Sequence, residues 1–309
     1  MCRWLTVKVV NIEELRNLKE KLAVAIGFFD GIHLGHQKVI NHVSRYAKEN
    51  RAKSMVITFD KSPKVVLGNV PNEGCLTPIA EKLRILEGMG IDYALILTFD
   101  ATFLNLSADD FINEYLLKIN ASYVSVGFDF RFGKGGFGDV ALLASCGQFK
   151  VEVTEPVLMS GVKVSTRLIK KHLNMGELDL AYRMLGRNYS VSGHVEYGRR
   201  LGHKIGFPTA NLMLDEDYLL PLRGVYATKS YIGNACFVSM TNIGFNPTVN
   251  LKASISVETH ILDFDAAVYG KKLRVELISK IRDEIKFDNL DALVVQLTAD
   301  KEAVKLMSI

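Results

Sequence analysis

Two histidines three residues apart, His33 and His36, lie inside the string GFFDGIHLGH at 27–36. Gly27, Gly31 and Gly35 punctuate that string and let a backbone turn tightly and approach a ligand closely. An apolar run over 23–29 leads into it, and a helical stretch from about 35 to 48 follows. A helix start offers free N–H groups and the positive end of a dipole, which suits phosphate. Imidazoles placed there can hydrogen-bond phosphate oxygens and stabilise charge growing on phosphorus. Histidines so spaced could also be a metal pair or ordinary surface residues. The coincidence of glycines, strand and helix start favours a nucleotide loop.

A second constellation fills 193–212, GHVEYGRRLGHKIGFPTANL. Gly198, Gly202 and Gly206 predict a flexible loop of close approach, and Thr209 and Asn211 follow two residues apart. On an extended strand those two share a face. A hydroxyl and a carboxamide are the oxygen ligands that Mg²⁺ takes together with phosphate oxygens. The alternative is a glycine-rich hairpin with Asn211 capping a turn. Ser165, Thr166 and Arg167 precede a helical segment, where hydroxyls and a guanidinium can grip a triphosphate or simply cap the helix. Gly133, Gly135 and Gly138 satisfy G-x-G-x-x-G. The preceding strand ends near Gly127, too early for a dinucleotide fingerprint, so 127–138 reads as a substrate loop. Phe128, Phe130 and Phe132 within it read as core by their alternation.

The elements that must carry these residues divide in two. Up to about residue 165, short apolar strands (23–29, 54–59, 93–99, 122–127) alternate with helical stretches (35–48, 79–87, 107–119). Ser107 can cap the last of these helices, with Asp110 three residues on. That alternation predicts an α/β fold with a parallel sheet covered on both faces. Two helical segments follow, near 167–174 and 177–185. Strands then succeed one another at 189–196, 224–231, 235–242, 254–262 and 273–281, and an amphipathic helix over 290–304 ends the pattern. This predicts a small antiparallel β-barrel with a C-terminal helix. The expected domains are 1–186 and 187–309.

His-Leu-Gly-His at 33–36 resembles the H-x-G-H signature of the nucleotidyltransferases. The longer string resembles the adenylyltransferase module of prokaryotic bifunctional riboflavin kinase/FAD synthetases. LTPIAEK at 76–82, LSADDFINEYL at 106–116, VGFDFRFGKGGFGD at 126–139 and VSTRLIKKHL at 164–173 resemble further segments of that family, in order. PTAN at 208–211, NIGFNPT at 242–248 and ETHILDF at 258–264 resemble its kinase half. The resemblance implies a Rossmann-like first domain that joins FMN to AMP from ATP, giving FAD and pyrophosphate. It implies a second domain that phosphorylates riboflavin with Mg·ATP. It implies Gly27, Phe28, Asp30, Gly35, Ser165, Thr166 and Arg167 at the nucleotide of the first domain, with His33 and His36 as catalytic groups. Asp129 is implied at the flavin. Gly202 and Gly206 are implied at the kinase nucleotide, Thr209 and Asn211 at Mg²⁺, and Glu258 as catalytic base. His260 reads as structural, and Asp283, Glu284 and Lys286 as a solvated face.

Two departures stand out. Lys61 and Ser62 replace the family's Pro-His, and Ile169 replaces a second arginine. Competing readings are therefore a kinase with an impaired first domain, and a flavin or nucleotide sensor without turnover. Composition narrows the field. Of 309 residues, 48% are hydrophobic and 23% charged, enough apolar material for real cores and too much for general disorder. A net charge of +4 without any basic block argues against nucleic acid. No apolar run approaches a membrane span and no signal-peptide pattern opens the chain. Cys2, Cys75, Cys146 and Cys236 form no C-x-x-C pair, so a cytoplasmic protein is expected.

Overall fold

A computed structural model describes residues 7–68, 73–198, 201–246 and 254–307. The chain forms two compact units, one of residues 1–73 with 77–166, the other of 74–76 with 167–309. Among the described residues no helix is long and apolar enough to cross a membrane.

The first unit contains β1 (Lys8–Val10), α1 (Ile12–Arg16), β2 (Leu22–Ile26), α2 (Leu34–Asn50), β3 (Lys53–Phe59), α3 (Pro63–Val66), α4 (Ile79–Gly88) and β4 (Tyr93–Leu97). It continues with α5 (Ala101–Leu104), α6 (Ala108–Ile112), β5 (Ala121–Gly127), α7 (Val140–Ser145), β6 (Lys150–Thr154) and the short hairpin β7 (Leu158–Met159) and β8 (Val162–Lys163). Six strands pair in the order β1-β4-β3-β2-β5-β6, and every pair is parallel. β2 is LAVAI, apolar at every position and buried at every position, as a strand covered on both faces must be. Its alternate residues enter two separate cores: Leu22, Val24 and Ile26 face one, Ala23 and Ala25 the other. The strand order reverses between β2 and β5. Ligands of open α/β sheets bind at the carboxyl ends of such a pair.

The stretch 107–119 departs from one regular helix. Ser107 caps α6 as expected, accepting from the Asp110 N–H at 3.0 Å. The helix then widens into a π-turn over Asn113–Leu117. The added residue brings Leu116, five positions after Phe111, into the same core.

The second unit contains α8 (Thr166–Asn174, whose first residue belongs to the first unit), α9 (Leu178–Leu185), β9 (Tyr189–Glu196), α10 (Leu201–Lys204), β10 (Ala210–Leu214) and β11 (Gly224–Ile232). It ends with β12 (Ala235–Asn246), β13 (Ser254–Ile261), β14 (Lys272–Arg282) and α11 (Leu290–Leu306). The strands close an antiparallel barrel, β10-β13-β12-β11-β14-β9. Its interior holds a chain of buried hydroxyls: Thr228 bonds Ser239 at 2.7 Å and Thr241 at 2.9 Å, and Thr241 bonds Thr259 at 2.9 Å. Each hydroxyl is thereby satisfied.

The compact units divide after residue 166, ahead of α8 and α9, whereas the change of sequence pattern is expected near residue 186. α8 and α9 pack with the barrel: the Leu222 N–H donates to the Leu173 carbonyl at 2.9 Å, and Gly176 lies against Lys280 and Leu222. Helical periodicity alone could not say which unit those helices cover.

Candidate active sites

The loop between β2 and α2 is held in an unusual backbone. Phe29 and Ile32 have φ of 51° and 36°, in the left-handed region that β-branched and bulky residues avoid. Burial overrides that cost, since Phe29, Asp30, Ile32 and His33 are all buried. The Asp30 carboxylate accepts from the Thr77 N–H at 3.0 Å, and the Gly31 N–H donates to Thr77 Oγ1 at 2.8 Å. Thr166 Oγ1 donates to the Asp30 carbonyl at 2.8 Å. Beneath the loop, Lys82 Nζ donates to the Phe28 carbonyl at 2.6 Å and to Thr58 Oγ1 at 2.9 Å. Thr58, Thr77 and Lys82 are supports that sequence reasoning did not single out. The signal for Thr77 and Lys82 was their place in LTPIAEK, a string that resembles the family without an evident chemical role.

His33 is the N-cap of α2, and its Nδ1 accepts from the His36 N–H at 3.4 Å. An accepting Nδ1 in a neutral ring leaves the proton on Nε2, a donor suited to a phosphate oxygen. The His33 and His36 rings stack with centroids 3.6 Å apart, and Phe29 meets His36 edge-on at 5.3 Å. Gly27 is required by contact, because a Cβ there would lie 2.9 Å from the Phe29 ring. Gly35 would bring a Cβ to 3.1 Å from the His33 ring. The structure thus brings Gly27, Phe28, Asp30, His33, Gly35, His36 and Thr166 together, with Ser165 adjacent in sequence to Thr166. Asp30 is occupied in shaping the loop. Arg167 is exposed at the start of α8.

Asp129 follows β5, the strand beside β2, and is exposed in an ion pair with Lys163 at 2.9 Å. The glycines after it are structural. A Cβ on Gly133 would meet the Ala108 backbone at 2.7 Å, and Phe132 and Gly138 form an antiparallel bridge. Of the three phenylalanines expected in the core, Phe132 is buried and Phe130 packs against the core, but Phe128 is exposed with Lys163 Nζ 4.3 Å above its ring. The alternation fails at Phe128 because the chain has left the sheet at Gly127. Ile169 is fully buried in the second unit, so it packs where the family's arginine would carry charge.

In the barrel, Thr241, Thr259 and Ser239 point inward, so their neighbours point outward. In the paired strands Asn211 lies opposite Glu258, and Glu258 opposite Asn242. Continuing the β10–β13 register by one residue sets Thr209 opposite His260, which itself lies opposite Met240. Thr209, Asn211, Glu258, Asn242 and His260 therefore share one outer face. A cavity of about 300 Å³ opens there, lined among others by Gly202, Thr209, Asn242, Glu258, His260 and Arg282, with Leu293 and Leu297 of α11 as an apolar wall. Arg282 is anchored to α11 by Asp300, with Nε at 3.0 Å from both carboxylate oxygens and Nη2 at 2.8 Å from one.

The glycines around this face have distinct roles. A Cβ on Gly198 would fall 2.2 Å from Asn211 Nδ2, so the carboxamide occupies the space that glycine leaves. Gly202 lies in the short helix α10 rather than in the loop expected, because its carbonyl accepts from the N–H groups of Ile205 and Phe207. Gly206 has φ +80° with open space around it. Glu284, expected on a solvated face, lines the cavity with its carboxylate against Gly244. The strand β14 carries it past the barrel rim, which periodicity within 283–286 does not reveal. Asn242 was visible as the first residue of NIGFNPT, but only strand pairing places it beside Glu258.

Known families match both units. A FAD synthetase family model covers residues 15–168, and a riboflavin kinase model covers 185–308. The chain belongs to the bifunctional riboflavin kinase/FMN adenylyltransferase family. Members from Listeria monocytogenes and Escherichia coli K12 are each 36% identical, covering 90% and 92% of this chain and 90% and 91% of their own lengths. A crystal structure described as a macrolide-efflux protein from Streptococcus pneumoniae has a TM-score of 0.88 at 30% identity, covering 97% of this chain and 99% of its own. The shared fold is what that match carries. Within the bifunctional family, the loop at 27–36 and the barrel face with Thr209 and Glu258 are the two candidate centres of this chain.

Proposed function

We propose that the second unit phosphorylates riboflavin and the first adenylylates the resulting FMN. The observation that carries this reading is the outer face of the barrel, where Thr209 and Glu258 line one cavity and Asn211 lies opposite Glu258. Glu258 accepts the proton of the riboflavin 5′-hydroxyl as that oxygen attacks the γ-phosphorus of ATP, and ADP leaves. Phosphoryl transfer otherwise rests on alignment and charge neutralisation. The apolar wall from α11 suits a flat aromatic ring system. Thr209 and Asn211 would hold Mg²⁺. Their hydroxyl and carboxamide oxygens are hard donors on one face. Bound there with the nucleotide, the ion would neutralise phosphate charge. Gly202 and Gly206 let the chain approach the phosphates.

In the first unit the FMN phosphate attacks the α-phosphorus of a second ATP. A new P–O–P linkage forms, the α–β bond breaks, and pyrophosphate leaves. The phosphate is already an anion at neutral pH, so alignment and charge stabilisation suffice. The N-terminus of α2 and Nε2–H of His33, with His36 stacked beside it, supply that stabilisation. Ser165, Thr166 and Arg167 grip the triphosphate, and Asp129 the flavin. The substrates and products are cytoplasmic metabolites: riboflavin, ATP, FMN and FAD. Incubation of the full chain with riboflavin and Mg·ATP, followed by chromatography of riboflavin, FMN and FAD, tests the whole reading. Accumulation of FMN without FAD would favour a kinase with an impaired first unit. No conversion at all would favour a sensor.

A further inference from the structure

We infer that His260 is a positioning residue of the kinase reaction, whose Nδ1–H holds the Pro208 carbonyl and so fixes Thr209 against the strand that carries Glu258. This rests on the assignment of Thr209 and Glu258 above. The backbone ladder between β10 and β13 runs from Ala210↔Thr259 to Leu212↔Val257, and Pro208 has no N–H with which to prolong it. Thr209 thus lies where the ladder gives out. His260 lies opposite it in register and bridges the gap with its side chain, Nδ1 to the Pro208 carbonyl at 2.7 Å.

A carbonyl only accepts, so Nδ1 carries the proton and the tautomer is settled by geometry. The ring is 6% exposed, packs on Phe207 at 5.4 Å, and its Nε2 is buried with no partner. A cationic ring would place an N–H at that atom with nothing to receive it. Burial accordingly lowers the His260 pKa; the Pro208 bond and Asp263 oppose that shift, while Lys301 of α11 adds to it. The imidazole is therefore a strap held through Nδ1–H. It joins the residue before Thr209 to the residue two after Glu258.

The test compares full-length His260→Phe, His260→Gln and His260→Asn. Asn puts an N–H close to the Nδ1 position, Gln puts one near Nε2, and Phe keeps only the ring. Riboflavin phosphorylation is followed against Mg·ATP and against riboflavin, with FAD formation from supplied FMN as a control. His260→Phe and His260→Gln should raise KM for Mg·ATP about tenfold, the worth of one such bond. KM for riboflavin should stay within about twofold. His260→Asn should restore most of the loss. An unchanged Mg·ATP KM in His260→Gln overturns the inference, as does equal damage in His260→Asn or an equal rise in both KM values. Thr209→Val serves as reference. If it leaves Mg²⁺ dependence untouched, the metal assignment fails and the strap falls with it. If Thr209→Val is impaired while His260→Gln is normal, the strap alone is wrong.

Discussion

Gly198→Ala should cripple the kinase through a single displaced carboxamide. Gly198 is not among the residues of positive φ, so alanine fits its backbone. The added Cβ would lie 2.2 Å from Asn211 Nδ2 and 2.6 Å from its Cγ. Favourable carbon contacts begin at about 3.5 Å, so the carboxamide must retreat by more than about 1 Å. The neighbour that moves is a side chain, and the fold should survive. An oxygen contact to a charged group is worth about 1.5–3 kcal/mol, which predicts about a 10- to 100-fold loss in kcat/KM for Mg·ATP. Initial rates of riboflavin phosphorylation at varied Mg·ATP measure this, and FAD formation from FMN should not change. Asn211→Ala should cause a similar loss. The double variant should be no worse than Asn211→Ala to within about twofold, because both changes remove one contact. A wild-type response to Mg·ATP in Gly198→Ala, or full additivity with Asn211→Ala, would refute the reasoning.

Glu258→Gln should slow riboflavin phosphorylation by roughly 10²–10⁴-fold while FAD formation from FMN persists; near wild-type phosphorylation would remove it as the base. His36→Ala should reduce FAD formation from FMN by at least about 100-fold with an unchanged far-ultraviolet circular dichroism spectrum, and full FAD synthesis would count against the phosphate role. Burial pushes the Asp92 carboxyl up, but bonds from Lys53 Nζ at 2.9 Å and from Ser54 N and Oγ at 2.9 and 2.7 Å outweigh it and leave the pKa lowered. A lowered carboxyl stabilises the fold above its unfolded value of about 3.9, and that contribution fades as pH falls through the folded value. Asp92→Asn should therefore cost about 1 kcal/mol at pH 7, kept small because Lys53 is 41% exposed, and almost nothing near pH 2. Denaturant unfolding of the first unit at both pH values checks it; a deficit independent of pH would contradict the ion-pair account.

Much of the first centre was legible because its information is local. LAVAI, the glycines, the histidine pair and the start of α2 occupy one unbroken stretch, and each obeys a short-range rule. The supports were not legible. Nothing in the helical stretch 79–87 marks Lys82 for burial, yet it is 1% exposed under the Phe28 carbonyl, 54 positions away in the chain. Likewise Ile169 looked like a lost charge and proves to be fully buried, because the packing of α8 decides which of its sides is covered.

The sequence by itself determined which residues share a face within a strand. Thr209 with Asn211 and Glu258 with His260 are two apart, and extended backbone places such pairs on one side whatever surrounds them. It also determined the two architectures, since strand and helix periods are properties of short segments. What only the tertiary structure decided is which faces meet. Backbone hydrogen bonds are the same at every register, and a slip of one residue would turn Glu258 into the barrel interior. The register is held by the buried ladder of Thr228, Ser239, Thr241 and Thr259, drawn from three strands. That ladder, which no local pattern announces, joins the strands that set Glu258 opposite Asn242.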